Sequence, residues 1–318
     1  MKIITDEYGR TFKTLRVSLL TRCNLGCVYC SMGEESVETN HVSKKLVPVS
    51  DLLSLISRLH SLLQLETIRL TGGEPLLYAG LIPVIEGVKA MGIPNIKLTT
   101  NGFLLERLAK PMKQAGMESI NVSLDAIDED VFFLMSKRNN VQRVINGIEA
   151  AMEAGLGVKI NTVIMKGINE SQIIPLLEYS FERNIPIRFL EIMSMGHLHH
   201  DSKKYLFPQQ EILKKISTRY EFQQMPRTNS STSNYWITQQ GNVFGIIANE
   251  SEPFCHDCNR LRLDSEGNIY GCLSNNNPVS LVGLTEHSQL LEKLQEALLQ
   301  KQAVRFVGSE LSMLNIGG

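Results

Sequence analysis

The chain has 318 residues, 32 Lys+Arg against 33 Asp+Glu, and 43% hydrophobic residues. That length suits one α/β barrel of ordinary size or two modest domains, and the apolar content excludes disorder. The balanced charge argues against nucleic acid or a membrane surface as partner, and no apolar run reaches the roughly 18 residues of a membrane span. The start, Met1-Lys2-Ile3-Ile4-Thr5-Asp6-Glu7, lacks the apolar core of a secretory signal, so a soluble cytoplasmic protein is expected.

In chain order, apolar-rich segments predict strands at Thr14–Leu19, Thr67–Thr71, Ile96–Asn101, Ser119–Asp125, Val158–Val163 and Pro186–Glu191. Helical spacing of apolar residues marks Asp51–Leu63, Leu104–Ala115, Val141–Ala154 and Gln172–Arg183 between them. Val49-Ser50-Asp51 and Asn169-Glu170-Ser171 resemble helix starts, and Gly116, Gly155 and Asn184 stand where helices should stop. Six β-α units with short connections imply a parallel sheet, open or part of a barrel.

Strand parity separates those two forms. Leu15, Val17 and Leu19 share one face of the first strand, with Arg16 and Ser18 on the other. The same division sets Ile68 and Leu70 against Arg69 and Thr71, and Ile96 and Leu98 against Lys97, Thr99 and Asn101. It continues with Ile120, Val122 and Leu124 against Asn121, Ser123 and Asp125, and with Val158 and Ile160 against Lys159 and Asn161. In the sixth strand Arg188 opposes Ile187 and Phe189, although Leu190 interrupts the polar face. A closed eight-stranded barrel fills its centre with branched apolar side chains. Polar inner faces therefore fit a wider, incomplete six-unit barrel around a charged ligand. Arg16, Arg69, Lys97, Lys159 and Arg188 against the single acid Asp125 make that cavity cationic and suited to a phosphate ester. Lys97, near a strand start, is expected far from the catalytic rim.

After Met193 the pattern changes. Gly196-His197-Leu198-His199-His200 reads as a solvent-facing loop rather than a metal site, Gln209–Tyr220 as an amphipathic segment, and residues 224–234 as a connector. A smaller C-terminal unit is expected to follow, with strands at Val243–Ala248, Arg260–Leu263 and Asn268–Cys272 and a turn at Ser265-Glu266-Gly267-Asn268. The division is 1–223 for the barrel and 224–318 for this unit.

All six cysteines fall into two groups, Cys23-x3-Cys27-x2-Cys30 and Cys255-x2-Cys258-x13-Cys272. Disulfides belong to short secreted chains, and these close spacings suit ligands of a metal centre better. Zinc in a structural site wants four protein ligands, which His256 could complete in the second group. Three thiolates suit a four-iron, four-sulfur cube whose fourth iron stays open for a small molecule. The first group follows the first strand, at the carboxyl end where α/β barrels place chemistry. Thr71-Gly72-Gly73-Glu74-Pro75 follows the second strand, where paired glycines let a backbone approach a ligand and Glu74 can meet an ammonium group.

With Tyr29 before the third cysteine and Gly-Gly-Glu-Pro one unit later, the chain resembles the radical S-adenosylmethionine enzymes. The second group, in Pro253-Phe254-Cys255-His256-Asp257-Cys258-Asn259-Arg260-Leu261-Arg262-Leu263 with Gly271-Cys272-Leu273, and the ending Asn315-Ile316-Gly317-Gly318, resemble the GTP 3′,8-cyclase family. That family starts molybdenum-cofactor biosynthesis.

The resemblance implies a partial barrel, two 4Fe–4S clusters and S-adenosylmethionine as cofactors. Cys23, Cys27 and Cys30 would hold the first cluster, and Cys255, Cys258 and Cys272 the second, whose open iron would face guanine. Tyr29, Gly73, Glu74, Ser123 and Met193 would bind S-adenosylmethionine. Arg16, Arg69, Thr99, Lys159, Arg188, Arg260 and Arg262 would line the GTP pocket, and Arg16, Gly317 and Gly318 would be catalytic.

The implied reaction begins with reductive cleavage of S-adenosylmethionine to a 5′-deoxyadenosyl radical, which abstracts hydrogen from ribose C3′ of GTP. Attack on guanine C8 then leads to 3′,8-cyclo-7,8-dihydro-GTP. An electron donor and a downstream pterin-precursor synthase are implied as functional partners, and a homodimer is compatible with the family.

The chain departs from the family's pattern at Thr67, where a lysine is common, at Leu20-Thr21-Arg22, and at Ser31-Met32. The alternatives are a related radical enzyme with an auxiliary cluster, acting on a peptide or another nucleotide, and a non-catalytic iron–sulfur protein.

Overall fold

A computed structural model describes residues 4–31 and 46–317 of the chain, so Met32 and Gly318 lie outside the described residues. Six strands run in order: β1 (Thr14–Ser18), β2 (Thr67–Thr71), β3 (Asn95–Thr100), β4 (Ser119–Ser123), β5 (Gly157–Ile164) and β6 (Ile187–Glu191). Each pairs with the next in parallel. The connecting helices are α1 (Val49–Leu63), α2 (Leu81–Ala90), α3 (Leu105–Gln114), α4 (Glu129–Ser136), α5 (Val141–Glu153) and α6 (Ile173–Glu182).

The alternation of each strand decides which face the helices cover. In α1, Leu52, Leu55, Ile56, Leu59 and Leu63 form one buried stripe at helical spacing. They join Leu15, Val17, Ile68, Leu70, Ile96, Leu98, Ile120 and Val122 in a single core, each side chain worth about 1.5–3 kcal/mol when fully buried. Gly116, Gly155 and Asn184 take positive φ and stop the helices before them. With the oily faces turned outward to the helices, the charged faces are left to the barrel interior.

The C-terminal third does not make a sheet of its own. Here β10 (Arg260–Leu263) pairs parallel with β1, and β9 (Val243–Ile247) pairs parallel with β6. Beyond β10 lie β11 (Asn268–Tyr270) and β12 (Val279–Ser280), both antiparallel. Beyond β9 lie β8 (Asn234–Thr238) and β7 (Phe222–Gln224), also antiparallel. The result is one 12-stranded sheet whose eight central strands run parallel. The boundary expected after residue 223 therefore falls inside β7, and the segment expected as a connector leads into β8. Ser, Thr and Asn hide a strand whose Trp236 stacks on Phe244, with ring centroids 5.7 Å apart. Four further helices follow β6: α7 (Ser202–Tyr205), α8 (Gln209–Ser217), α9 (His287–Leu298) and α10 (Met313–Ile316). Among the described residues, no helix is long and apolar enough to cross a membrane.

The end of α9 packs on the strand that leads to Cys272. A Cβ at Gly271 would stand 1.9 Å from the Ala297 carbonyl oxygen, so only glycine allows the two backbones to touch. Gly271→Ala is expected to cost about 1–3 kcal/mol, as overpacking does. Denaturant unfolding would register the loss as a lower midpoint, and a wild-type midpoint would refute the contact.

Candidate functional site

Cys23, Cys27 and Cys30 occupy the loop that leaves the carboxyl end of β1. Its shape is held by neighbours rather than by its own few residues. Gly26 N and Val28 N donate to the carbonyls of Ser136 and Met135, each at 2.9 Å, at the end of α4. Asn101 Nδ2 donates to Asn24 Oδ1 at 2.8 Å and stands 3.7 Å from Cys23 Sγ. His197 Nε2 is 2.8 Å from the Val28 carbonyl and His199 Nδ1 is 3.1 Å from the Ser194 carbonyl, so these histidines brace backbone.

Cys255 and Cys258 lie in a short turn at the amino end of β10, and Cys272 follows β11. Because β11 is antiparallel to β10, it returns the chain to that same end. All six thiols are free. Burial pushes the Cys27 thiol well up, reinforced by Asp125, Cys23 and Cys30, and burial, Cys272 and Cys258 push Cys255 up to about 11. Burial also raises Cys258, but Arg260 and Lys301 outweigh it and bring the thiol down to about 6.

The members of each triad thus sense one another's charge. Yet no three His, Cys, Asp or Glu side chains among the described residues gather tightly enough for one metal ion. His256, the candidate fourth zinc ligand, is 65% exposed and leans toward Asp257. A cube spreads its thiolate ligands wider than a single ion does, and both triads fit that group better than zinc.

Between the triads the strand registers line up the cations. Arg262 pairs with Arg16, Arg16 with Arg69, and Arg69 with Lys97, in one row across four adjacent strands. Higher on the same face, Lys159 sits beside Asn121, and Arg188 donates to Asn161 Oδ1 at 2.9 Å. Like charges directly opposite one another destabilise a sheet. Burial, then Arg262, Arg69 and Arg260, push Arg16 well below the usual guanidinium range, and burial, Arg188 and Arg260 bring Arg69 down to about 10. Arg16 Nε, Arg69 Nη1 and Arg188 Nη2 are buried without an acceptor. An unmet buried donor costs about 1–3 kcal/mol, so this face is built for an anion that supplies the acceptors. Thr99 and Ser123 share that face. Arg260 stacks over the Phe254 ring at 5.2 Å, beside Cys258.

The turn after β2 is locked to its neighbours. Gly72 and Gly73 lack side chains because they pack on the first cysteine loop, where Cβ atoms would stand 2.5 Å from Leu20 O and 2.3 Å from Arg22 O. Glu74 is 1% exposed. Its oxygens accept from Leu76 N at 2.9 Å, Thr100 Oγ1 at 2.7 Å and Asn101 N at 2.7 Å. Burial still pushes this carboxyl up to about 7. Glu74 is therefore a clasp between the turn and the end of β3. Asp125 serves similarly, accepting from Tyr29 OH at 2.9 Å and Val163 N at 2.8 Å.

Met193 packs with Met195, Tyr270, Phe306 and Ile316 in a small apolar cluster that includes Cys255. The tail closes the arrangement. Ser312 Oγ donates to the Cys30 carbonyl at 3.0 Å, and Arg262 Nη1 donates to the Gly317 carbonyl. Gly317 is buried against Thr71 and Ser18. Sequence reasoning missed Asn101, Arg10 and Lys301, all of which hold the cysteine loops. Only Asn101 had a local signal, a Thr-Asn-Gly turn after a strand.

Comparison with known proteins agrees with this geometry. The profile of the Radical SAM superfamily matches residues 17–180, and that of Molybdenum Cofactor Synthesis C matches residues 185–306. A GTP 3′,8-cyclase of Staphylococcus epidermidis is 37% identical over 281 residues, covering 86% of this chain and 82% of its own. That of Nautilia profundicola is 35% identical over 300 residues, covering 94% and 90%. Among solved structures, Streptococcus suis SuiB bound to S-adenosylmethionine superposes with a TM-score of 0.65 at 15% identity, over 88% of this chain and 65% of SuiB. At that identity the likeness concerns the fold alone.

Asn101→Ala removes the donor shared by Asn24 and Cys23. It is expected to weaken the first triad's hold on iron by about 10–100-fold, the usual effect of losing such a supporting contact. Iron loss to a chelator would measure this, with the second triad's iron unchanged; equal loss from both triads would refute the local role.

Proposed function

Because the chain belongs to the Radical SAM superfamily and, within it, to the GTP 3′,8-cyclase family, we propose a division of labour among its own residues for that reaction. The activity is conversion of GTP to 3′,8-cyclo-7,8-dihydro-GTP, the first step toward molybdopterin. Two 4Fe–4S clusters and S-adenosylmethionine, when bound, supply one-electron radical chemistry at ribose C3′.

Cys23, Cys27 and Cys30 hold the first cluster at the carboxyl rim; Cys255, Cys258 and Cys272 hold the second at the opposite rim. About 16 Å of strand separates the rims, at roughly 3.3 Å per residue over five residues, which leaves room for a nucleotide. Tyr29, Gly73, Ser123 and Met193 contact S-adenosylmethionine, with Tyr29 set by Asp125 and the Gly73 backbone set by Glu74. Arg16, Arg69, Thr99, Lys159, Arg188, Arg260 and Arg262 line the GTP site. Arg16, with Gly317 and Gly318 of the tail, takes the catalytic positions. Fixing base and triphosphate at separate places holds the ribose in one orientation, and such positioning lowers a barrier by several kcal/mol. The tail, lying on Arg262, Thr71 and Ser18, keeps water from the reacting centre.

Lys97 joins this set. Thr67 cannot offer the phosphate contact that a lysine gives there in many relatives, whereas Lys97 stands beside Arg69 in register. Burial, Arg69 and Lys159 lower its ammonium pKa, which places it in the same field as the arginines. The observation that carries the whole reading is the row Arg262–Arg16–Arg69–Lys97, with unmet buried donors, between two cysteine triads. The reading also implies an electron donor, a downstream enzyme that makes the pterin precursor, and a homodimer.

The test uses anaerobically reconstituted protein holding about eight irons per chain, as two cubes require. Supplied with GTP, S-adenosylmethionine and a strong reductant, it is expected to yield 5′-deoxyadenosine and a new isomer of GTP by mass spectrometry. Deoxyadenosine without the isomer would discard GTP as substrate. Arg69→Ala and Lys97→Met are each expected to weaken GTP binding by about 10–100-fold, the equivalent of a charge-assisted hydrogen bond, and to change guanosine binding little. Equal losses for both ligands would move these residues away from the phosphates.

A further inference from the structure

Lys301 follows α9 and is 6% exposed. Its Nζ donates to Cys258 Sγ at 3.3 Å and to the Arg260 carbonyl at 3.0 Å, and it lies 5.1 Å from the centre of the Phe12 ring. Among the described residues no carboxylate lies within ion-pair distance of it. A buried ammonium without a counter-charge is costly. The group it points at is a cysteine sulfur, which carries negative charge only as a thiolate or a cluster ligand.

The segment is held there from a second side. Arg10, paired with the buried Asp6 at 2.6 Å, donates through Nη1 to the Cys255 carbonyl at 2.5 Å and to the Gln302 carbonyl at 2.8 Å. One guanidinium thus ties the residue after Lys301 to the first cysteine of the triad. Among the described residues the first triad has no such cation hydrogen-bonded to a cysteine sulfur. Cys23 Sγ receives neutral donors, Leu25 N at 3.5 Å and Asn101 Nδ2 at 3.7 Å.

We propose that Lys301 is a positioning residue of the second cluster, whose fixed charge and hydrogen bond to Cys258 Sγ raise that cluster's reduction potential relative to a site with neutral donors. The proposal rests on the reading that Cys255, Cys258 and Cys272 hold a cluster. A cation at a cluster sulfur favours the more negative, reduced state, because the interaction is stronger with the extra electron present and burial limits screening. Placing the charge at the second site alone separates the two clusters in potential within one chain.

The experiment is a potentiometric titration of the reconstituted full chain followed by electron paramagnetic resonance, which reads both clusters in one sample. Lys301→Met and Lys301→Gln are expected to shift the second cluster to more negative potential. Lys301→Arg is expected to restore most of the wild-type value, and the first cluster should stay put as the internal reference. A second-cluster potential unchanged in the neutral variants at full iron content would overturn the proposal. If both neutral variants lose about four irons while Lys301→Arg keeps them, the charge is required to retain the cluster, which supports it. Loss of that iron from Lys301→Arg as well would reduce Lys301 to a packing residue and end the proposal. Wild-type protein with only one cluster would instead defeat the underlying reading.

Discussion

Parallel pairing between β1 and β10 joins two parts of the chain that are remote in sequence. The strand β1 carries Arg16 and runs into Cys23, whereas β10 begins two residues after Cys258 and carries Arg260 and Arg262. Their register, Thr14 with Arg260 through Val17 with Leu263, sets Arg16 beside Arg262 and puts the two triads at opposite rims. A slip of one residue would turn these arginines toward the helices and their leucines toward the cavity. Leu15, Val17, Leu261 and Leu263, all buried without exposure in the same core, prevent that slip. The hydrophobic pattern of two short strands thereby specifies where both cysteine triads stand.

The same register imposes a cost. Four cations side by side repel one another, and Arg16 and Arg69 in the row, like Arg188 on the same face, keep nitrogens without acceptors. Nothing in packing rewards this arrangement, since branched apolar side chains would fill the interior as they do in closed barrels. Sequences depart from local consistency in this manner where function demands it. The core outside the strands is large enough to carry the penalty, because each helix covers its strand with a continuous apolar stripe. An anionic ligand therefore removes repulsion and fills hydrogen bonds at once, and it binds to a site whose rigidity the empty protein already maintains.

Much of this was legible in the sequence because one-residue alternation between Leu, Val or Ile and Arg or Lys admits a single reading of each strand's faces. Parity alone put Arg16, Arg69, Lys97, Lys159 and Arg188 on one surface. It did not say that Lys97, at a strand start, stands level with Arg69, because register depends on pairing between strands. The hairpin of β7 and β8 was hidden by the Ser- and Asn-rich run before it, whose weak strand preference is overridden by burial of Trp236 against Phe244. The Gly-Gly-Glu-Pro motif does not reveal that Glu74 also accepts from Thr100 Oγ1 and two backbone amides, since those partners depend on the fold. Arg10 and Lys301 left no local trace at all, since their partners lie far along the chain.

The C-terminal tail shows how the remaining freedom of the site is removed. Ser312 is hydrogen-bonded to the Cys30 carbonyl, and a single helical turn later the Gly317 carbonyl receives the Arg262 guanidinium. The tail thus touches the first cysteine loop and the strand that follows the first two cysteines of the second triad. Its last described residue must be glycine for two separate reasons. The backbone there has φ of 73°, and a Cβ would stand 2.4 Å from Thr71 Cγ2. A side chain at that point would push the tail off Thr71 and Ser18 and open the cavity toward solvent. Arg262 thus has two contacts, with the Gly317 carbonyl of the tail and with Arg16 beside it in the cation row.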